Sequence, residues 1–293
     1  MRVTLSDRDP KPSWFHGFES LLSGGAAGLV SSIVTCPLDV IKTKLQASGG
    51  GLGPSRGIVG TFNSIWHTEG FRGLYRGLGP TVFGYLPTWA IYFTVYDKVK
   101  ATLGASRGND DPIAHIVAAM TAGATGTILT NPLWVIKTRF MTQEPGAGEA
   151  RYRHTFDAIL RIYRTEGPVA FYRGMVPSLI GVSHIAVQFP LYEQLKVYNR
   201  PSDGSDIQAS TILLCSSASK MIASVATYPH EVLRTRLQIQ KHATASVAPI
   251  AAYEGVALTF KRILREEGPR GFYRGMGVNL LRTVPASAMT ILT

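Results

Sequence analysis

The sequence predicts an all-α membrane protein: six transmembrane helices in three pseudo-threefold repeats, each repeat also carrying one short surface helix. Three observations predict it. An eight-residue motif beginning at Pro37 returns at Pro132 and again at Pro229, at spacings of 95 and 97 residues. A second motif, Glu-Gly followed by Tyr-Arg-Gly, trails every copy: Glu69-Gly70 with Tyr75-Arg76-Gly77, Glu166-Gly167 with Tyr172-Arg173-Gly174, and Glu267-Gly268 with Tyr273-Arg274-Gly275. Long apolar stretches rich in small residues flank both. Self-similarity at a fixed period is the mark of a repeat architecture.

The elements follow in the same order in each repeat, taken as 1–104, 105–203 and 204–293. A first apolar stretch (21–36, 113–131, 207–228) leads into the proline motif, and with the basic residues beyond it makes a helix long enough to cross a bilayer with tilt. The motif reads Pro37-Leu38-Asp39-Val40-Ile41-Lys42-Thr43-Lys44, then Pro132-Leu133-Trp134-Val135-Ile136-Lys137-Thr138-Arg139, then Pro229-His230-Glu231-Val232-Leu233-Arg234-Thr235-Arg236. Its proline is expected to kink each odd-numbered span at one depth, the freed carbonyl being satisfied by neighbouring helices or water. Gly24-x-x-x-Gly28 and Ala119-x-x-x-Gly123 offer small faces for close helix contact. A polar loop and a short amphipathic helix run up to Glu-Gly, and a second apolar stretch (78–99, 176–197, 276–293) completes the unit.

Composition is compatible with this and narrows the partners. Hydrophobic residues are 45% of the chain, and the mean hydropathy of +0.09 is low for a membrane protein. Helices that line a watery cavity keep a polar face, which accounts for the low value. The net charge of +11 suits anionic partners: nucleic acid, a membrane surface or an anionic substrate. Of 30 Lys and Arg residues, 20 fall in the segments 42–76, 137–173 and 234–274, which join the first span to the second within each repeat. The connections between repeats hold only Arg107 and Arg200, so the basic loops are assigned to the side from which positive charge is not translocated, which for an inner-membrane protein is the matrix. Cys36 and Cys215 read as buried, unpaired thiols. The N-terminus lacks the apolar core of a signal peptide and the Arg-rich amphipathic pattern of a transit peptide.

Other classes fit less well. A soluble, basic nucleic-acid-binding repeat protein would not place prolines at one depth inside three small-residue helices. For an enzyme, the chain offers no Cys-His pair, metal-ligand cluster or strand-borne phosphate loop, and Gly49-Gly50-Gly51-Leu52-Gly53 lacks a phosphate-loop lysine. No catalytic residue, metal or cofactor is expected.

The proline motif resembles the signature of the mitochondrial carrier family, Pro-x-(Asp/Glu)-x-x-(Lys/Arg)-x-(Lys/Arg), and the resemblance covers essentially the whole chain. It implies a bundle of six tilted helices around a central cavity, three matrix surface helices, termini toward the intermembrane space, a monomer, and transport by alternating access. Acid and base three residues apart share a helix face. In the family's register Asp39 pairs with Lys137 and Glu231 with Lys42, closing the matrix side. Trp134 stands where the second acid belongs, leaving Arg234 without an ionic partner. A cation–π contact of Trp134 with Arg234 would substitute, contributing roughly 0.5–2 kcal/mol; an interfacial anchor is the alternative reading of the indole. Gln46 and Gln238 match the family's braces beneath this gate, and Met141 fills the third brace position. The opposing, cytoplasmic gate resembles (Phe/Tyr)-(Asp/Glu)-x-x-(Lys/Arg): Tyr96, Asp97 and Lys100, then Tyr192, Glu193 and Lys196. A third copy would begin where the sequence stops at Thr293, which reads as truncation. Cardiolipin at the N-termini of the matrix helices is the lipid partner the resemblance suggests.

The same resemblance places substrate at mid-membrane. The first contact point falls at Gly84, with Thr88 and Tyr92 above it. The second is Gly181-Val182, a Gly-aliphatic pair suited to an adenine ring, followed by His184 and Gln188. The third is Arg282, whose planar fork suits a phosphate; a pairing with a neighbouring helix is the structural alternative. Lys220 and Ser224 share a face on the fifth span, where Ser32 and Thr127 are the counterparts on the other odd spans. Lys220 and Arg282 together would hold a pyrophosphate. Asn131-Pro132-Leu133-Trp134, Pro87-Thr88-Trp89-Ala90-Ile91-Tyr92-Phe93 and Gln188-Phe189-Pro190-Leu191-Tyr192-Glu193 resemble the branch of NAD, FAD/folate and pyrimidine-nucleotide carriers. Within it, they are most similar to NAD carriers of fungal type. The implied partner is a small anionic, nucleotide-like substrate rather than nucleic acid.

Overall fold

A computed structural model describes residue 30 and residues 32–48, 57–107, 112–143, 152–200, 208–240 and 255–282. Gly24, Gly28 and the end of the sixth span lie outside the described residues. Within them the chain is helical: α1 (32–47), α2 (Ile58–Leu74), α3 (Leu78–Arg107), α4 (Pro112–Met141), α5 (Thr155–Glu166), α6 (Met175–Val182), α7 (His184–Tyr198), α8 (Ala209–Thr227), α9 (Pro229–Ile239), α10 (Val256–Glu267) and α11 (276–282). The odd spans are α1, α4 and α8–α9; the even spans are α3, α6–α7 and α11. The helical stretches Ile113–Met141 and Pro168–Tyr198 are long and apolar enough to cross a membrane.

The three motif prolines act differently. α1 and α4 run helically through Pro37 and Pro132, whereas the third odd span ends at Thr227 and restarts at Pro229. Tyr228 sits at the joint, fully buried, with its hydroxyl donating to the Arg274 carbonyl at 2.9 Å. That anchor holds the joint in place. The fourth span also breaks, at Ser183, whose amide and hydroxyl turn back to the Ile180 carbonyl.

Each short helix packs identically. Ile65, Ile162 and Ile263, four residues before the Glu of their repeats, are buried at 0–1% exposure against the odd span, while Trp66, Tyr163 and Leu264, one residue on, are exposed. Burying an isoleucine contributes about 1.5–3 kcal/mol, and the outward apolar row suits a helix lying in the membrane interface. Three cores result, around Val40 and Ile41, around Ile136, and around Val232 and Leu233.

The second motif fastens this arrangement. Glu69 takes Lys44 at 3.0 Å and Arg76 at 2.7 Å; Glu166 takes Arg139 at 2.5 Å and Arg173 at 2.7 Å; Glu267 takes Arg236 and, at 2.9 Å, Arg274. Each carboxylate thus ties the end of the odd span to the start of the even one. The closing glycines then reach the next repeat. Gly77, Gly174 and Gly275 all have left-handed backbones, with φ of 83°, 75° and 79°, a conformation other residues adopt at a cost. A Cβ on Gly174 would lie 2.9 Å from the Arg234 carbonyl oxygen, and one on Gly275 would lie 3.2 Å from that of Lys42. Cys36 and Cys215 are buried and unbridged.

Candidate functional site

The proline motifs bring their charged residues together across repeats. Lys42 Nζ lies 2.6 Å from Glu231 Oε2, and Lys137 Nζ lies 3.6 Å from Asp39 Oδ2. Lys42 also donates to Asn279 Oδ1 at 2.7 Å, and Asn279 donates to the Ser224 hydroxyl at 2.6 Å. The braces sit one turn beyond. Gln46 donates to Tyr228 at 2.9 Å and to Glu231 at 3.4 Å, while accepting from Thr235 at 2.8 Å. Gln238 accepts from Thr138 at 2.7 Å. In the remaining position Thr43 meets the Met141 sulfur at 3.6 Å. A ring of threonine-to-brace contacts therefore runs around all three interfaces.

Trp134 does not stack on Arg234. Its ring lies 4.9 Å beneath Lys137 Nζ, its edge faces Tyr85, and its indole N–H donates to Thr130 Oγ1 at 3.0 Å. The i,i+4 hydrogen bond to Thr130 turns the indole back along its own helix, away from the neighbour that carries Arg234. The cation–π substitute at this interface is therefore corrected: the cation over Trp134 is Lys137.

Arg282 reaches Asp39, with Nη1 2.6 Å from Oδ1, so this carboxylate receives both Arg282 and Lys137. Arg282 thus pairs with a neighbouring helix, and among the described residues its Nε is buried without a partner. Lys220 is exposed on α8 and lies within electrostatic reach of Arg282. Ser32 is buried in α1.

The even-span residues are more dispersed. Gly84 faces the Leu133 and Trp134 side chains of α4, where a Cβ would lie 3.8 Å from Leu133 Cβ, and Thr88 donates to the Gly84 carbonyl at 2.6 Å within its own helix. Tyr92 stacks on Tyr96, and the Tyr96 hydroxyl meets His115 Nδ1 at 2.7 Å. Gly181 is covered: the His230 imidazole sits directly on it, and Val182 packs against Gly123, where a Cβ would come within 3.3 Å. The expected open platform for a flat base is thus occupied by a side chain in this conformation. His184 turns its ring back to the Gly181 carbonyl at 2.8 Å, and Gln188 is half-buried on α7.

At the opposite end of the bundle the charged residues of the second gate motif make no ion pair between spans among the described residues, and the motif's one bond across spans there is that of Tyr96 to His115. Glu193 and Lys196 pair within one turn at 3.7 Å, and Lys196 lies over the Tyr192 ring. Asp97 and Lys100 form no ion pair among the described residues. The third copy falls outside them.

Sequence reasoning missed Asn279, Tyr228, His230 and His115. A polar asparagine one helical turn before an intramembrane arginine was the available signal for Asn279; the others depend on which way a ring turns.

On the surface, a cavity of about 1150 Å³ opens where α2 meets α3 and the start of α5, lined by Arg72, Arg76, Arg153, His154 and Arg161 among others. Asp157 sits beside it at the first turn of α5. The Arg153 amide, then the Arg161 guanidinium, hold its carboxyl below the usual carboxylate range.

A bundle of six spans with charge pairs meeting between repeats on its axis defines a membrane transport protein. The comparisons agree and particularise it. The family described as mitochondrial carrier protein matches residues 13–107, 108–201 and 205–293. The chain is 46% identical to mitochondrial nicotinamide adenine dinucleotide transporter 1 of Saccharomyces cerevisiae, across 93% of this chain and 74% of that protein. It is 46% identical to the chloroplastic nicotinamide adenine dinucleotide transporter 1 of Arabidopsis thaliana (92% and 87%), and 36% identical to the chloroplastic folate transporter 1 of the same plant (94% and 92%). The chain belongs to the mitochondrial carrier family.

Proposed function

We propose that this carrier exchanges NAD, or a nucleotide of its class, across the mitochondrial inner membrane by alternating access. One observation carries the substrate class. Among the described residues, Lys42, Lys137, Lys220, Arg234 and Arg282 meet two carboxylates, Asp39 and Glu231, which leaves three positive charges in excess. Charge inside a membrane protein is costly unless water or a counter-ion meets it, and a pyrophosphate supplies that counter-ion. The names of two relatives supply the choice of NAD. The folate relative favours a second reading, a pterin or flavin nucleotide held by the same cations.

The paired proline ring is the closed gate, on the matrix side. The opposite end is open, and the termini face the intermembrane space. A single bundle contains the path, so the monomer is the working unit. The arginine-lined cavity beside α5 suits the phosphodiesters of a cardiolipin headgroup. In proteoliposomes, labelled NAD uptake is expected to exceed that of AMP, UTP, FAD, folate and malate. Arg282→Ala and Lys220→Ala are each expected to cut uptake at least about a hundredfold while leaving a folded protein. Near-normal uptake in both, or a stronger signal with malate, refutes the assignment.

A further inference from the structure

The three interfaces of the proline ring present equivalent side chains, so each reports on the others. At the first, Glu231 receives Lys42 at 2.6 Å and Gln46 Nε2 at 3.4 Å. At the second, Asp39 receives Lys137 at 3.6 Å, and the brace is Met141, which has no strong donor. At the third, the base is Arg234 and the brace is Gln238, and the carboxylate they would share is replaced by Trp134.

Trp134 does not take that role, because its N–H donates to Thr130 on its own helix. Arg234 makes no ion pair or hydrogen bond among the described residues. Gln238 is 1% exposed, and Thr138 donates to its Oε1 at 2.7 Å, which leaves Nε2 as the end with something to give. Among the described residues Nε2 is buried and has no acceptor. A buried donor left unmade is expensive, and buried polar groups of this kind are normally satisfied. Arg234 and Gln238 stand four residues apart on one face of α9.

A guanidinium and an orphaned amide, both short of the same acceptor, specify an anion. The geometry points to a phosphate site in the place of the missing carboxylate, formed by Arg234 and Gln238 Nε2 and filled by a phosphoryl group of the substrate. The cargo then completes the third pair of the ring. Lys137, close enough to Arg234 for their charges to interact, strengthens the local positive field. The phosphate chemistry follows from this chain alone; its source in a nucleotide rests on the function proposed above.

The test uses the full chain purified in detergent, with thermal protection measured against inorganic pyrophosphate and against NAD. Trp134→Glu gives Arg234 and Gln238 an internal acceptor. It is expected to raise Tm without ligand and to weaken the apparent affinity for both probes about tenfold or more, the loss of one charge-assisted contact. Arg234→Gln is expected to weaken both without the rise in Tm, and decides the matter alone if Trp134→Glu does not fold. Pyrophosphate protection unchanged by the substitutions overturns the site. Wild-type protection by pyrophosphate but not by NAD, lost in the variants, upholds the site and rejects the nucleotide reading.

Discussion

At the proline-motif end, Asp39, Lys42, Lys137 and Glu231 pair between spans of different repeats; at the other end, Glu193 and Lys196 pair within a single helical turn. The residue types are the same, and the spacing of acid and base is three in both motifs. What differs is the partner. Side chains of the first set have exposures of 11–29% and are supported by Asn279, Tyr228 and the braces. Glu193 and Lys196 are 44% and 39% exposed and lean on their own helix. Charge motifs at the two ends of an alternating-access carrier are not expected to be engaged together, and among the described residues only one set pairs between spans.

Four substitutions sharpen that comparison. Glu231→Gln strips Lys42 of its carboxylate while keeping the shape of the side chain. Leaving a largely buried ammonium unpaired is expected to cost roughly 3 kcal/mol, read as a fall in Tm in detergent and a faster leak of preloaded substrate. Gly174→Ala acts on the same end through the backbone, since the residue would need a left-handed φ and would crowd the Arg234 carbonyl. A loss of about 1–3 kcal/mol is expected, with Gly181→Ala, against the His230 ring, as a side-chain counterpart. Glu193→Lys at the open end is expected to change Tm by less than about 0.5 kcal/mol-equivalent, while slowing exchange. A stability loss there as large as that of Glu231→Gln would abolish the distinction between the two ends.

These expectations also mark what could be read without coordinates. The repeat, the six spans and the contacts of Asp39 with Lys137 and of Lys42 with Glu231 are legible because a triplicated chain with a fixed register forces equivalent residues into equivalent places. The identity of Glu69, Glu166 and Glu267 as clasps was within reach for the same reason, since each precedes its arginine by seven residues. Where the repeats diverge, that logic fails. Trp134 turns toward Thr130 because an indole has a donor to place, and nothing in a threefold pattern says where. Arg282 settles on Asp39 and His230 on Gly181 through side-chain orientation across helices, which spacing along one helix does not encode. The break at Ser183 is likewise local, a hydroxyl competing for the Ile180 carbonyl inside a run whose composition reads as continuous.

The left-handed glycines of the Tyr-Arg-Gly motif have a consequence for how such a molecule is assembled. Gly77 abuts α4, Gly174 abuts α9, and Gly275 abuts α1, so the last repeat is seated on the first by the same stitch that seats the first on the second. The third repeat thereby meets the first through the same kind of contact that joins consecutive repeats. The barrel behaves as a hoop rather than a strip curled round.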